Sequence, residues 1–176
     1  MSGNWDAIAA LASCAAVLAA LGVVHVQNKS AMRLTCLQIY MQIANKYRSP
    51  DMRKVRARLA SRILEDWNYD GKLSDLDETL LAFFEDLGVL VRMKYLDFSL
   101  VWNTFGYDVP IYWYKLERHV KQDRNENDDL TLYDEFENLS KRLMAVRESP
   151  NGNKTCKDIT EEAALDFLRS EERHRA

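Results

Sequence analysis

The chain has 176 residues and a formal net charge of −3, and 29% of its residues are charged. This length leaves room for one membrane helix and one modest domain, and the slightly acidic balance excludes a protein that binds nucleic acid by bulk positive charge. Only six glycines and three prolines interrupt the sequence, which predicts an all-α fold. The three cysteines lie far apart without metal-ligand spacing, so we expect reduced thiols, no metal and no cofactor.

The first element is a long apolar stretch near the N-terminus. From Ala7 to Val24 there is no charged residue, no side-chain amide and no proline. As a helix these residues rise about 27 Å, close to the thickness of the hydrocarbon core of a bilayer. The sequence therefore predicts a transmembrane helix over residues 5–26, after a short external N-terminus at residues 1–4. An alanine-rich core helix and a signal peptide are the alternatives, and the absence of Lys and Arg before the stretch disfavours a signal peptide.

The charges that flank this stretch predict its orientation. Asp6 precedes it, whereas Lys29 and Arg33 follow it. Positive charge is enriched on the cytoplasmic side of membrane helices. We therefore expect a single-pass protein of the bacterial inner membrane, with the N-terminus outside and the body in the cytoplasm.

Small residues recur along one side of the same stretch. Ala12, Ala16 and Ala20 follow one another at four-residue spacing. Such spacing lets two helix backbones approach closely within a membrane. The pattern predicts a homo-oligomer, in which these alanines form the contact and the first partner of the chain is a second copy of itself.

The rest of the chain is amphipathic and helical in pattern. The first helix is expected to continue without a break to about Arg48 and to join a cytoplasmic helical bundle over residues 27–148. A stretch rich in Ser, Pro, Asn and Gly predicts a linker at residues 149–157. The last helix is expected over residues 158–176.

Local signals mark several helix ends. Ser49 and Pro50 are typical of a helix N-cap and its first position. A further helix is expected from Asp97, and the polar residues 122–129 predict a loop. Asp158 together with Glu161 predicts the capping box of the last helix.

The second helix carries a row of basic residues. Lys54, Arg58 and Arg62 recur at four-residue spacing, with Arg56 beside them. This face either contacts anionic lipid headgroups or is solvated and paired with acidic residues of the same domain. RNA binding is disfavoured because no aromatic side chains alternate with these charges.

Several motifs resemble a bacterial family of unknown function. They are Phe84-Glu85-Asp86-Leu87, Val91-Arg92, Trp102, Phe105-Gly106, Tyr112-Trp113, Arg124 and Phe136-Glu137-Asn138-Leu139. The resemblance implies one N-terminal membrane helix and a small helical cytoplasmic domain. These are packing motifs, and they imply no particular chemistry.

The order of parts also resembles the membrane accessory protein of type VI-B CRISPR systems, which implies a pore that aids antiviral defence. Arg169 and His174 fit the Arg-x4-His pattern of the HEPN ribonuclease class. That resemblance implies that His174 would activate a ribose 2′-hydroxyl and that Arg169 would stabilise charge on the phosphorus centre.

Three functional hypotheses follow. The first is a membrane-anchored oligomer that forms a pore or perturbs membranes in antiviral or stress response. The second is an interaction module that tethers a cytoplasmic protein or ribonucleoprotein to the membrane. The third is a membrane-bound HEPN-like ribonuclease. The sequence contains no glycine-rich phosphate loop, no His-Glu-x-x-His motif and no serine nucleophile motif that would favour another enzyme class.

Overall fold

The computed structural model describes residues 3–65, 75–146 and 159–173, with side chains from residue 21 onward except at 75–77. Within these residues the secondary structure is helical and contains no strand, which confirms the predicted all-α class. The helices are α1 (Gly3–Arg48), α2 (Pro50–Glu65), α3 (Asp75–Arg92), α4 (Phe98–Phe105), α5 (Asp108–Asn127), α6 (Asp134–Ala145) and α7 (Glu161–Glu172).

The predicted membrane location is contradicted. Within residues 3–65, 75–146 and 159–173, no helix combines the length and the apolar character that crossing a membrane requires. The predicted single-pass localisation in the bacterial inner membrane, with the N-terminus outside and the body in the cytoplasm, is therefore wrong. In α1, amide and basic side chains enter at short intervals from Gln27 onward, among them Lys29 and Arg33. The side chains of residues 5–20, where most of the predicted span over 5–26 lies, are outside the described residues.

The helix ends follow their sequence signals in most places. α1 runs unbroken to Arg48, as predicted, and the Ser49 hydroxyl accepts a hydrogen bond from the Met52 amide at 3.2 Å to cap α2. Asp97 caps α4 by accepting from the Ser99 amide at 2.7 Å. The last helix begins later than expected, because Thr160 is its N-cap and accepts from the Ala163 amide at 3.1 Å. Asp158, assigned to the predicted capping box, lies outside the described residues.

The predicted loop at residues 122–129 is wrong over most of its length. α5 continues to Asn127 and ends at Asp128, which adopts the left-handed conformation with a φ of 51°. A hydrogen bond between side chains one turn apart supports this extension of the helix: the Gln122 side-chain amide donates to the Glu126 carboxylate at 2.7 Å. Pairs at this spacing favour helix even in a strongly polar stretch.

The chain divides into two compact units, Met1–Gln38 and Ile39–Ala176. The described core of the second unit is a continuous set of aromatic rings contributed by α1, α3, α4, α5 and α6. Phe84 stacks on Phe136 with 5.0 Å between ring centroids, and Trp113 meets the same Phe136 ring edge-on at 5.2 Å. Tyr47 lies 5.4 Å from Phe83 and 5.1 Å from Phe105. Phe105, Tyr112 and Trp113 are buried in this core, whereas Tyr107 and Tyr114 stay exposed.

α3 and α6 cross at unusually short range. A Cβ atom placed on Gly88 would lie only 2.4 Å from the Glu135 carbonyl oxygen, so no larger residue fits without a shift of backbone. One turn earlier on α3, the Glu85 carboxylate accepts from the Phe136 amide at 2.8 Å and from the Glu135 amide at 3.2 Å. Glu85 therefore caps α6 from a different helix, and this cap fixes the register of the crossing.

Candidate functional site

Five ionisable side chains meet in the second unit, where α1, α2, α5 and α7 converge; four of them are buried and the fifth, Asp108, is half-buried. The Tyr47 hydroxyl donates to Asp108 Oδ2 at 2.6 Å, and the Arg56 guanidinium carbon lies 3.9 Å from the centre of the Tyr47 ring. Arg56 Nε lies 3.2 Å from Glu171 Oε2, with side chains only 8% and 9% exposed. Tyr112 is fully buried beside them. We call these five residues the buried charge cluster.

Burial dominates the electrostatics of this cluster. Desolvation raises the pKa of Asp108, and the opposing effects of the Tyr47 hydroxyl and of Arg56 do not cancel it. Desolvation likewise raises the pKa of Tyr47 and of Tyr112 well above the ordinary tyrosine range. Desolvation lowers the pKa of Arg56, but its neighbours, Tyr47 first and then Glu171, outweigh it, so the pKa is raised and Arg56 keeps its charge.

The cluster is arranged to hold helices together. Arg56 belongs to α2 and Glu171 to α7, so their ion pair joins two helices that are distant in sequence. Next to it, the Ser61 hydroxyl donates to Glu172 Oε1 at 3.1 Å. The Phe167 ring meets Tyr112 edge-on at 5.5 Å and completes the docking of α7. A buried ion pair with such contacts stabilises one particular helix arrangement once both partners are present.

The sequence did not predict this cluster. Arg56 was expected beside the basic face of the second helix, and neither Asp108 nor Glu171 had a predicted functional role. Residue type alone does not distinguish Arg56 from Arg58, although Arg56 is buried and Arg58 is exposed. The helical period offers one signal, because Met52, Arg56 and Leu59 recur at the spacing of the buried stripe.

The predicted basic face does lie on one helix. Lys54 and Arg58 are exposed on α2, and Arg62 is half-buried. The spacing of four residues places all three on one side of that helix. The interpretation that they contact lipid headgroups depended on the membrane location that the structure contradicts, so the solvated face is the interpretation that remains.

The residues predicted for ribonuclease chemistry are not brought together by the described structure. Arg169 is exposed on α7, and its Nη1 lies 3.8 Å from Asp166 Oδ1, at the limit of an ion pair. His174 lies outside the described residues. The side chains of Ala12, Ala16 and Ala20, predicted to form the oligomer contact, lie outside them as well. These assignments stay predictions.

A shallow groove of about 330 Å³ lies between α3 and α6. Its floor is apolar, formed by Gly88, Val91 and Leu139, and basic side chains border it. Those side chains already have contacts in the fold. Arg92 pairs with Glu135, Lys141 Nζ lies 2.5 Å from Glu137 Oε1, and the Arg142 guanidinium lies 4.5 Å from the centre of the Phe98 ring. The charges around the groove therefore serve the packing of α6.

The first unit differs from the second in its surface. The described part of α1 exposes large apolar side chains over residues 21–37, which are Leu21, Val23, Val24, Val26, Met32, Leu34 and Leu37. Their exposed fractions range from 49% for Leu37 to 71% for Met32. Four of them fall within about 80° around the helix axis at 100° per residue. We call these four, Val23, Val26, Leu34 and Leu37, the apolar stripe.

An apolar stripe of this length is unusual on a free surface. Single exposed apolar residues are common in proteins, but contiguous apolar patches generally mark a site of association. The opposite side of the same helix contains Asn28 and Thr35 between its apolar residues. On the side of the helix that the stripe occupies, Ser30 lies between Val26 and Leu34 and is the single polar residue within the same 80°.

Comparisons with known proteins add a family and no activity. No curated protein and no solved structure matches the chain. The comparisons give no support to the resemblance to the CRISPR accessory protein or to the HEPN class. Residues 7–143 match the family described as "Domain of unknown function (DUF4760)", which confirms the resemblance to a family of unknown function. Because this match spans 137 of the 176 residues, the chain belongs to the DUF4760 family.

Proposed function

We propose that the protein is a homo-oligomeric interaction module in which α1 joins copies of the chain. The apolar stripe of Val23, Val26, Leu34 and Leu37 is the observation that carries this proposal. It lies on an unbroken helix of 46 residues, so side chains separated by several turns keep a constant direction. A second helix that packs along this side removes all four side chains from water at once.

The free energy of such a contact is moderate. Full burial of a Val or Leu side chain contributes about 1.5–3 kcal/mol, so half-burial contributes about 1 kcal/mol. Two helices bring eight such side chains, or about 8 kcal/mol, against an association cost of about 4–15 kcal/mol. We therefore expect an oligomer that dissociates on dilution unless the contact extends beyond the stripe.

The other hypotheses receive less support. The pore depended on a membrane location that the structure contradicts. The ribonuclease depended on Arg169 and His174, and Arg169 is exposed beside Asp166 without another described partner for catalysis. An interaction module that binds a different protein through the same stripe is the second candidate, and it predicts a monomer when the purified chain is studied alone.

The test is the molar mass of the purified full-length chain, measured by light scattering over a range of concentrations. Leu34→Gln places a polar side chain in the stripe and should shift the chain toward the monomer. Met32→Gln is the matched control, because Met32 is 71% exposed on the opposite side of the same helix. Gln has nearly the helix propensity of Leu and Met, so both variants should keep their helix content by circular dichroism.

Three outcomes separate the alternatives. A wild-type chain that is monomeric at every concentration contradicts self-association and favours a different protein as partner. Equal dissociation by Leu34→Gln and Met32→Gln contradicts the assignment of the contact to the stripe. Dissociation by Leu34→Gln alone supports the proposal.

A further inference from the structure

The apolar stripe belongs to a repeat of 11 residues. Val23, Val26 and Ser30 are followed at this distance by Leu34, Leu37 and Met41. In the sequence alone the repeat also extends backward, to Ala12, Ala15 and Ala19. Spacings of three, four and four residues average about 3.67 residues per turn, close to the 3.6 of a straight α-helix. The stripe therefore stays on one side of α1 without the left-handed supercoil that a seven-residue repeat imposes.

We infer that a second copy of this chain packs along the stripe in antiparallel orientation. Val26 then faces Val26 of the other copy, and Val23 of each copy faces Ser30 of the other. This inference rests on the proposed function, since it specifies the geometry of the self-association proposed above.

Side-chain size favours this orientation. Along the repeat the residues grow from Ala through Val to Leu and Met, with the small Ser30 as the exception. In an antiparallel pair that overlaps over the whole repeat, Ala12 pairs with Met41 and Ala19 pairs with Leu34, so the outer layers combine a small residue with a large one. The distance between the helix axes then varies less along the contact than in a parallel pair. A parallel pair would combine Ala with Ala at one end and Leu with Leu at the other, and the helices would have to diverge.

The helix dipoles favour the same orientation. In an antiparallel pair the positive end of each helix lies beside the negative end of the other, whereas a parallel pair brings like ends together.

Disulfide trapping tests the orientation in the full-length chain. Cys14, Cys36 and Cys156 are first replaced by Ser, and this background must keep the wild-type molar mass and helix content. Val26→Cys should then form a disulfide with its own copy under mild oxidation, because each Val26 faces the other.

Two further variants separate the orientations. Val23→Cys and Ser30→Cys should each cross-link poorly when expressed alone, since the two identical cysteines lie two turns apart along the pair. Co-expressed under different tags, they should form a mixed disulfide, because position 23 of one copy faces position 30 of the other. Asn28→Cys, on the opposite side of α1, is the control and should cross-link with none of them.

The failures are distinguishable. Self-cross-linking of Val23→Cys and of Ser30→Cys without a gain on co-expression overturns the antiparallel geometry and leaves self-association in place. Efficient cross-linking through Asn28→Cys, or an oligomer that none of the stripe cysteines traps, overturns the use of the stripe. A monomeric molar mass in both the wild type and the cysteine-free background overturns the proposed function itself.

Discussion

Replacing Glu171 by Ala should destabilise the protein strongly, because it leaves the buried Arg56 guanidinium without its counter-charge. The two side chains are 8% and 9% exposed and their ionic atoms are 3.2 Å apart. Removing one partner of a buried ion pair costs about 3–5 kcal/mol. We expect the loss in the free energy of unfolding to fall near 3 kcal/mol, since Arg56 keeps the Tyr47 ring, 3.9 Å away, as a second favourable contact.

The assay is urea unfolding of the full-length chain, followed by tryptophan fluorescence, which the buried Trp113 makes sensitive to core packing. Asp166→Ala is the matched control, because it removes a carboxylate from the same helix that is 73% exposed and only loosely paired with Arg169. An exposed pair contributes about 0–1 kcal/mol, so this variant should unfold almost as the wild type does. Equal losses for the two variants would refute the assignment of a buried ion pair between α2 and α7.

Two further predictions concern the second unit. Gly88→Ala should lower the free energy of unfolding by about 1–3 kcal/mol, since its Cβ would collide with the Glu135 carbonyl. Ala82→Ser, at an exposed position of the same helix, is the control and should change this free energy little. An unaltered midpoint of urea unfolding for Gly88→Ala would contradict the close crossing. Asp108→Asn should flatten the pH dependence of unfolding. Burial raises the pKa of Asp108 in the folded state, so its contribution to stability is present at low pH and is lost as the pH rises through its folded pKa, whereas Asn keeps an acceptor for the Tyr47 hydroxyl and does not ionise. The free energy of unfolding is measured by urea titration at pH values below and above the folded pKa of Asp108, in the wild type and in Asp108→Asn. An equal change of this free energy with pH in both proteins would show that Asp108 is not the group responsible.

Local chemistry made much of the helical framework predictable. The continuity of α1, the Ser49 cap of α2 and the Asp97 cap of α4 all follow from residues within one turn of the feature they control. Propensity and capping act over such short distances, so the sequence exposes them directly. The end of α5 was mispredicted because the polar composition of residues 122–127 resembles a loop, while the pairing of Gln122 with Glu126 supports a helix.

Tertiary contacts were the part that the sequence could not reveal. The sequence around Glu85 is that of an acidic, solvent-exposed helix face. The Glu85 carboxylate nevertheless accepts hydrogen bonds from the Phe136 and Glu135 amides at the start of α6. Its position opposite that helix start depends on the close approach at Gly88, and no local pattern encodes which two helices cross. The 11-residue repeat of α1 is visible in the sequence, but it acquires meaning only when the structure places Val23, Val26 and Leu34 in solvent.

The residues of the buried charge cluster lie on both sides of the family boundary. The family match ends at residue 143, so it includes Tyr47, Arg56 and Asp108 and stops before Glu171. Within the matched residues, the Tyr47 ring already gives the buried guanidinium of Arg56 a favourable contact. Glu171 adds a full negative charge from α7 and turns that environment into an ion pair. Desolvation of an arginine is costly, and the contact with an aromatic ring offsets that cost only in part. The charge of Arg56 therefore remains incompletely compensated within the matched helices, and its ion pair with Glu171 helps to attach α7 to α2.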